Sequence, residues 1–149
     1  MPTVTYRYSK INSTLFVVLC AGMIGISIPN LIHFVNIQNS TNWELILVFD
    51  FAFAVMLLYM MVKQFIPAMQ GKIALEINPI GIISYVKNIN IEWKDIKDVD
   101  FRTGKSSSSL YITFKYETDR GDHVRIPLAF IAGNDSKIYN TVKEYLNRS

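Results

Sequence analysis

From Ile11 to Trp43 the chain runs 33 residues without one Asp, Glu, Lys or Arg. Soluble domains interrupt their apolar runs far more often, because about a quarter of their residues are ionic. Here charge makes up 18% of the sequence and is lopsided: residues 1–70 hold five ionic side chains and residues 71–149 hold the other 22. Half of all residues are apolar and there is one cysteine, which excludes a disordered chain, a disulfide scaffold and a purely soluble enzyme. What remains is a membrane-anchored chain carrying one small domain.

Leu15 to Val35 is 21 residues, and at about 1.5 Å per residue such a helix covers the roughly 30 Å hydrocarbon layer. A second run, Leu45 to Val62, is apolar except for Asp50 and extends to Ile66 if Lys63 snorkels to the head groups. The expected organisation is a tail at 1–13, a transmembrane hairpin at 14–66 with spans at 15–35 and 45–66 joined by an outer loop at 36–44, and a domain at 67–149. A signal peptide is disfavoured, since Pro29 and Asn30 stand where a cleavage site would fall and apolar residues resume after them. Arg7, Lys10, Lys63 and Lys72 flank the spans on one side while the linking loop lacks Lys and Arg, so the positive-inside rule puts both termini in the cytoplasm.

An ionised carboxylate inside a membrane costs a few kcal/mol unless paired or wet. Counting from the outer loop places Asn30 and Asp50 at one depth, so they are the expected intramembrane polar pair, with His33 as a second candidate partner. The favoured reading is an interhelical clasp; the alternatives are an ion or proton path, which two helices cannot enclose without further copies, and a contact with a partner membrane protein. Cys20 lies inside the apolar run and reads as a small buried side chain.

After Pro67 the apolar period becomes two. Ile73, Leu75 and Ile77 share a strand face, Asn78 to Gly81 turns the chain, and strands follow at about 82–86, 89–93, 96–101, 110–116 and 124–128. Pro127 marks a strand end or an edge. Gly133 to Ser136 reads as a helix cap, and Ile138, Val142, Tyr145 and Leu146 then form one helical stripe. The expected fold is α+β: a helical hairpin, then an antiparallel roll or barrel of six to seven strands with a helix plugging one end.

Leu75-x-Ile77-x-x-x-Gly81-Ile82, Ile91-x-Trp93-x-Asp95-Ile96 and Ile126-Pro127-Leu128 together resemble the bacterial pleckstrin-homology-like domains attached to short transmembrane hairpins, among them small bacterial membrane proteins of unknown function. In that family the hairpin precedes the domain, so the resemblance spans nearly the whole chain and implies the bacterial cytoplasmic membrane. It makes Trp93 and Asp95 a structural corner, with Trp93 closing the roll and Asp95 bonding corner amides. The first hairpin turn lacks the Lys or Arg with which lipid-binding pleckstrin-homology domains hold an inositol phosphate, which argues against headgroup recognition there. Fold alone transmits no activity.

No catalytic set, metal cluster or cofactor motif is legible. Gly104-Lys105-Ser106 resembles the end of a P-loop, but Val99 replaces the earlier glycine and a strand follows where a helix must start. A basic stripe is missing too, so nucleic acid is not an expected partner. The expectation is a non-enzymatic protein-interaction module, with the lipid bilayer, a cytoplasmic protein or a second copy of the chain as partners. Its candidate surface is Lys105, Ser106, Ser107, Ser108 and Ser109 at one hairpin tip and Asp119, Arg120 and Asp122 at another. Alternatives are an immunity protein that neutralises a toxin from a neighbouring bacterium and a small subunit of a transport complex. The chain is expected to sediment with membranes on ultracentrifugation without detergent; a monomer in the supernatant would contradict the membrane assignment.

Overall fold

The computed structural model describes residues 2–36, 43–104, 107–118 and 121–148. It forms two compact units: residues 10–69, and a β unit made of residues 1–9 with 70–149. The element order is β1 (Val4–Arg7), α1 (Lys10–Asn36), α2 (Trp43–Met60), a π-helical turn (Met61–Phe65), α3 (Ile66–Met69), β2 (Ile73–Ile77), β3 (Gly81–Ser84), β4 (Ile89–Glu92), a 3-10 turn (Trp93–Asp95), β5 (Ile96–Thr103), β6 (Ser108–Thr118), β7 (Gly121–Pro127) and α4 (Asp135–Arg148).

In the helical unit, two helices are long and apolar enough to cross a membrane, and only 11% and 6% of their apolar windows are buried within the chain. Leu15, Val18 and Ile26 of α1 and Val48, Phe51 and Leu58 of α2 are all exposed. A core helix of a soluble protein hides such side chains. These helices leave them outside on most faces, so their stability in isolation from an apolar surrounding is not accounted for by the chain itself. Pro29 lies inside α1 without ending it, as neighbouring helices and polar side chains permit in apolar helices.

The β unit contains the main departure from the sequence reading. Residues 4–7, expected to be part of a tail, are the first strand of a four-stranded antiparallel sheet ordered β1-β2-β3-β4. Val4 pairs with Ile77 and Arg7 with Ile73. The attachment continues past the strand: Tyr8 N–H donates to Lys72 O, Ser9 N–H to Phe130 O, and Ala132 N–H to Arg7 O. Hydrophobic alternation could not reveal β1, because Val4-Thr5-Tyr6-Arg7 is too short to set a period and its partner lies beyond the hairpin.

The second sheet has three antiparallel strands ordered β5-β6-β7. The two sheets do not close into the expected barrel. Their inner faces supply Leu75, Ile77, Ile82, Ile91, Ile96, Val99, Leu110, Ile112 and Ile126, all buried. α4 adds Ile138, Val142 and Tyr145, the stripe read from its period. The Asn134 side chain caps α4 by accepting from Ser136 N–H at 3.0 Å and Lys137 N–H at 3.2 Å. Phe101 of β5 stacks on Tyr139 of α4 with ring centroids 5.5 Å apart, Tyr6 of β1 bonds Thr141 at 3.2 Å, and the Tyr145 hydroxyl donates to Pro2 O. Thus α4 is fastened to both sheets.

Two details correct the strand reading. Tyr116, assigned to the apolar face of its strand, is 79% exposed. The β5 ladder begins at Ile96 opposite Phe114, so β6 overhangs its neighbour and Tyr116 finds no inner face to join. Trp93 leaves the third strand for the 3-10 turn, while β7 ends at Pro127 as an edge strand, in agreement with the sequence reading.

Gly81 is required for close approach between backbones. A Cβ there would lie 2.0 Å from Ile91 O across the β3–β4 pair, so Gly81→Ala must displace backbone. Ser84 is its counterpart: the residue is fully buried and its Oγ lacks a hydrogen-bond partner among the described residues. Leaving a buried hydroxyl unsatisfied costs about 1–3 kcal/mol. In thermal unfolding of the β unit within the full chain, Gly81→Ala is expected to destabilise by roughly 2–4 kcal/mol, whereas Ser84→Ala is expected to raise the midpoint.

Candidate functional site

The β2–β3 turn is built by one side chain. Asn78 Oδ1 accepts from Ile80 N–H and Gly81 N–H, both at 2.9 Å, and Asn78 N–H donates to Gly81 O at 3.0 Å. Such Asx geometry is why Asn precedes Pro-x-Gly in tight turns. The turn is then tied to the β4–β5 corner. Trp93 Nε1 donates to Asn78 O at 2.8 Å and Trp93 N–H donates to Ile80 O at 3.0 Å. With its polar atom satisfied, the indole is 3% exposed and packs 6.0 Å from the Tyr145 ring of α4.

This joint forms the floor of an open cleft of about 580 Å³, within the size range of ligand sites. Pro79 and Ile80 make one wall, Leu146 and Asn147 at the end of α4 another, and Trp93 and Ile96 the base. Six charged side chains line it: Lys94, Lys97, Lys115 and Lys143 against Glu92 and Asp98. Lys94 Nζ lies 2.7 Å from Glu92 Oε2, and Lys143 Nζ lies 3.0 Å from Asp98 Oδ1. The Lys143 hydrogen bond, aided by one from Val99 N–H, holds the Asp98 carboxyl below its ordinary range, and Asp98 raises Lys143 in return. Because the folded-state carboxyl is the stronger acid, this contribution is present at neutral pH and fades as pH falls through the carboxylate range. Both partners are substantially exposed, so the bridge is worth no more than about 1 kcal/mol. Lys97 and Lys115 have no ion pair among the described residues.

The residues singled out from the sequence are only partly brought together. Trp93 lies in the turn between β4 and β5 and is bonded to Asn78 O. Asp95 does not bond the corner amides among the described residues; its charge acts on Lys94, while the Trp93 indole and Asn78 make the joint. Of the proposed serine tip, Lys105 and Ser106 lie outside the described residues, and Ser107 O accepts from Gly104 N–H at 3.0 Å. Ser108 and Ser109 belong to β6, and Ser109 is buried, accepting from Arg125 Nε at 2.9 Å. Arg125 lies 5.9 Å from the centroid of the Tyr111 ring and Arg102 lies 4.4 Å from it. Ser109 is therefore a strand residue rather than part of an exposed tip. Asp119 and Arg120 lie outside the described residues, while Asp122 on β7 bonds the adjacent His123 ring at 2.5 Å, which lowers the Asp122 pKa.

In the helical unit Asp50 does have an interhelical partner, but it is Ser27. The Ser27 hydroxyl lies 2.5 Å from Asp50 Oδ1 and 2.9 Å from Ile24 O, sharing one proton between two acceptors. The side chains of Asn30 and His33, the expected partners, lie outside the described residues. The sequence carried a signal for Ser27: Ser13, Cys20 and Ser27 recur every seventh residue of α1, and Asp50, Leu57 and Gln64 do so beyond the loop. Such small and polar residues at heptad spacing make a seam between apolar helices. Cys20 is fully buried, as its setting in the sequence implied. With Ser27 opposite Asp50, the antiparallel register brings Ser13 about level with Gln64, and both carry a buried oxygen without a partner among the described residues.

Comparison of the chain with protein-family models, curated proteins and solved structures finds no match. Among the described residues no group of three or more His, Cys, Asp or Glu is placed to hold a metal ion. Ser27→Ala is expected to weaken the pairing of the two helices by about 0.6–1.7 kcal/mol, the scale of interhelical hydrogen bonds between apolar helices, as read by unfolding in mixed micelles. Ser27→Thr, which keeps the hydroxyl, should restore most of the loss.

Proposed function

We propose that the chain is a non-enzymatic interaction module whose helical hairpin lies in the bacterial cytoplasmic membrane and holds a pleckstrin-homology-like domain at the cytoplasmic surface. The observation that carries this reading is the pairing of β1 with β2. The strand before the hairpin is hydrogen-bonded to the strand after it, so the hairpin must leave and re-enter the domain on one side of any membrane it crosses. Two apolar helices joined by a short loop meet that requirement. Arg7, Lys10, Lys63 and Lys72 stand at the ends nearest the domain, and by the positive-inside rule this is the cytoplasmic side.

Seven strands followed by one helix, together with the Gly81, Trp93 and Pro127 positions, support the pleckstrin-homology-like assignment, in an open two-sheet form. A binding role is supported by the character of the cleft, where four ammonium groups outnumber two carboxylates beside apolar residues. Engagement of Asp50 by Ser27 favours a clasp over a transport path. An immunity role would place its contacts on the spans, with Asn30 and Asp50, and on the outer loop, whose residues 37–42 lie outside the described residues.

A photoreactive side chain tests both halves of the proposal in living cells. Placed at Phe51, 72% exposed, it is expected to give lipid adducts; placed at Tyr116 it is expected to give protein adducts. Absence of lipid adducts at Phe51, or domain labelling by an impermeant reagent added outside intact cells, would contradict the proposed arrangement.

A further inference from the structure

We propose that the cleft between the β2–β3 turn, the Trp93 corner and the end of α4 binds an acidic peptide segment of a partner protein. This rests on the reading of the chain as an interaction module and names the chemistry of the partner. Four lysines and two acids line the cleft. Glu92 and Asp98 each engage one lysine, which leaves the charges of Lys97 and Lys115 uncompensated among the described residues. Both side chains are exposed, and no burial or internal partner explains two like charges at the rim of one cavity.

The occupant is an anion with apolar character. Ile80 stands at the edge of the cleft 70% exposed, in a turn fixed by the Asn78 cap and the Trp93 bonds. A rigid apolar knob beside mobile ammonium groups suits a chain that carries both carboxylates and an aliphatic side chain. Lysines are point charges on flexible stems and accept carboxylates without the fork geometry that phosphate-reading arginines impose. Charge complementarity of this kind selects a partner and speeds its arrival more than it adds affinity.

A peptide is favoured over a membrane surface because the apolar residues line a cleft of about 580 Å³ rather than projecting from a flat face.

The test uses the full chain in phosphatidylcholine nanodiscs and a fluorescein-labelled probe peptide of sequence Glu-Asp-Leu-Glu-Glu-Leu, read by anisotropy. Saturable binding is expected, weakened at least tenfold in the Lys97→Glu/Lys115→Glu protein and changed less than twofold in Lys87→Glu, a lysine in the β3–β4 turn outside the cleft. Thermal unfolding of each variant within the full chain establishes that it is folded; should the double reversal not fold, Lys97→Gln/Lys115→Gln replaces it, with at least threefold weakening expected. No saturable binding, or equal weakening in Lys87→Glu, overturns the proposal. So does lysine-dependent binding to phosphatidylserine vesicles when the peptide is not bound. Cross-linking at Phe51 and Tyr116 separates the two readings. Lipid and protein adducts that persist when the wild-type chain binds no peptide overturn the cleft alone, whereas missing lipid adducts at Phe51 overturn the anchored module whatever the cleft binds.

Discussion

The structure depends on a pairing across a long gap. β1 and β2 are neighbours in one sheet, yet 65 residues separate Arg7 from its partner Ile73. Closing a flexible loop of that length costs about 4 kcal/mol beyond a constant term, a large fraction of the stability of a small domain. Two helices held side by side lower this cost, because they return the chain near its starting point before the sheet forms. The Ser27–Asp50 bond contributes to that return by fixing how the helices lie against each other. The sheet in turn anchors both ends of the hairpin, through the strand itself and the bonds of Tyr8, Ser9 and Arg7 to residues after it. Folding of the hairpin and completion of the β unit are thus coupled.

A second dependence joins the turn, the corner and α4. One asparagine shapes the β2–β3 turn, one tryptophan spans from its carbonyl to the start of β5, and the same indole meets Tyr145. Residues of all three elements line the cleft. Trp93, buried and with its indole N–H bonded to Asn78 O, thereby helps to shape the cleft that the lysines line. The Lys143–Asp98 bridge connects α4 to the start of strand β5, too weakly to determine the fold but in a place where an incoming carboxylate would compete with Asp98 for the lysine.

Short-range chemistry was legible from the amino acids alone. The two long apolar helices, the Asn78 turn, the Pro127 strand end and the stripe on α4 each depend on residues within a few positions of one another, so period, turn chemistry and capping suffice to find them. The pairing of residues 4–7 with 73–77, the choice of Ser27 for Asp50, the burial of Ser109 and the grouping of Lys97 and Lys115 with the end of α4 were decided by tertiary structure. Each joins groups far apart in the chain; the heptad recurrence of Ser13, Cys20 and Ser27 marks a seam on α1, but which residue of α1 meets Asp50 is fixed only by how the two helices pair. Alternating charge such as that near Lys97 and Asp98 is ordinarily a solvated strand face; the return of α4 makes part of it line a cleft together with Lys143 and Leu146.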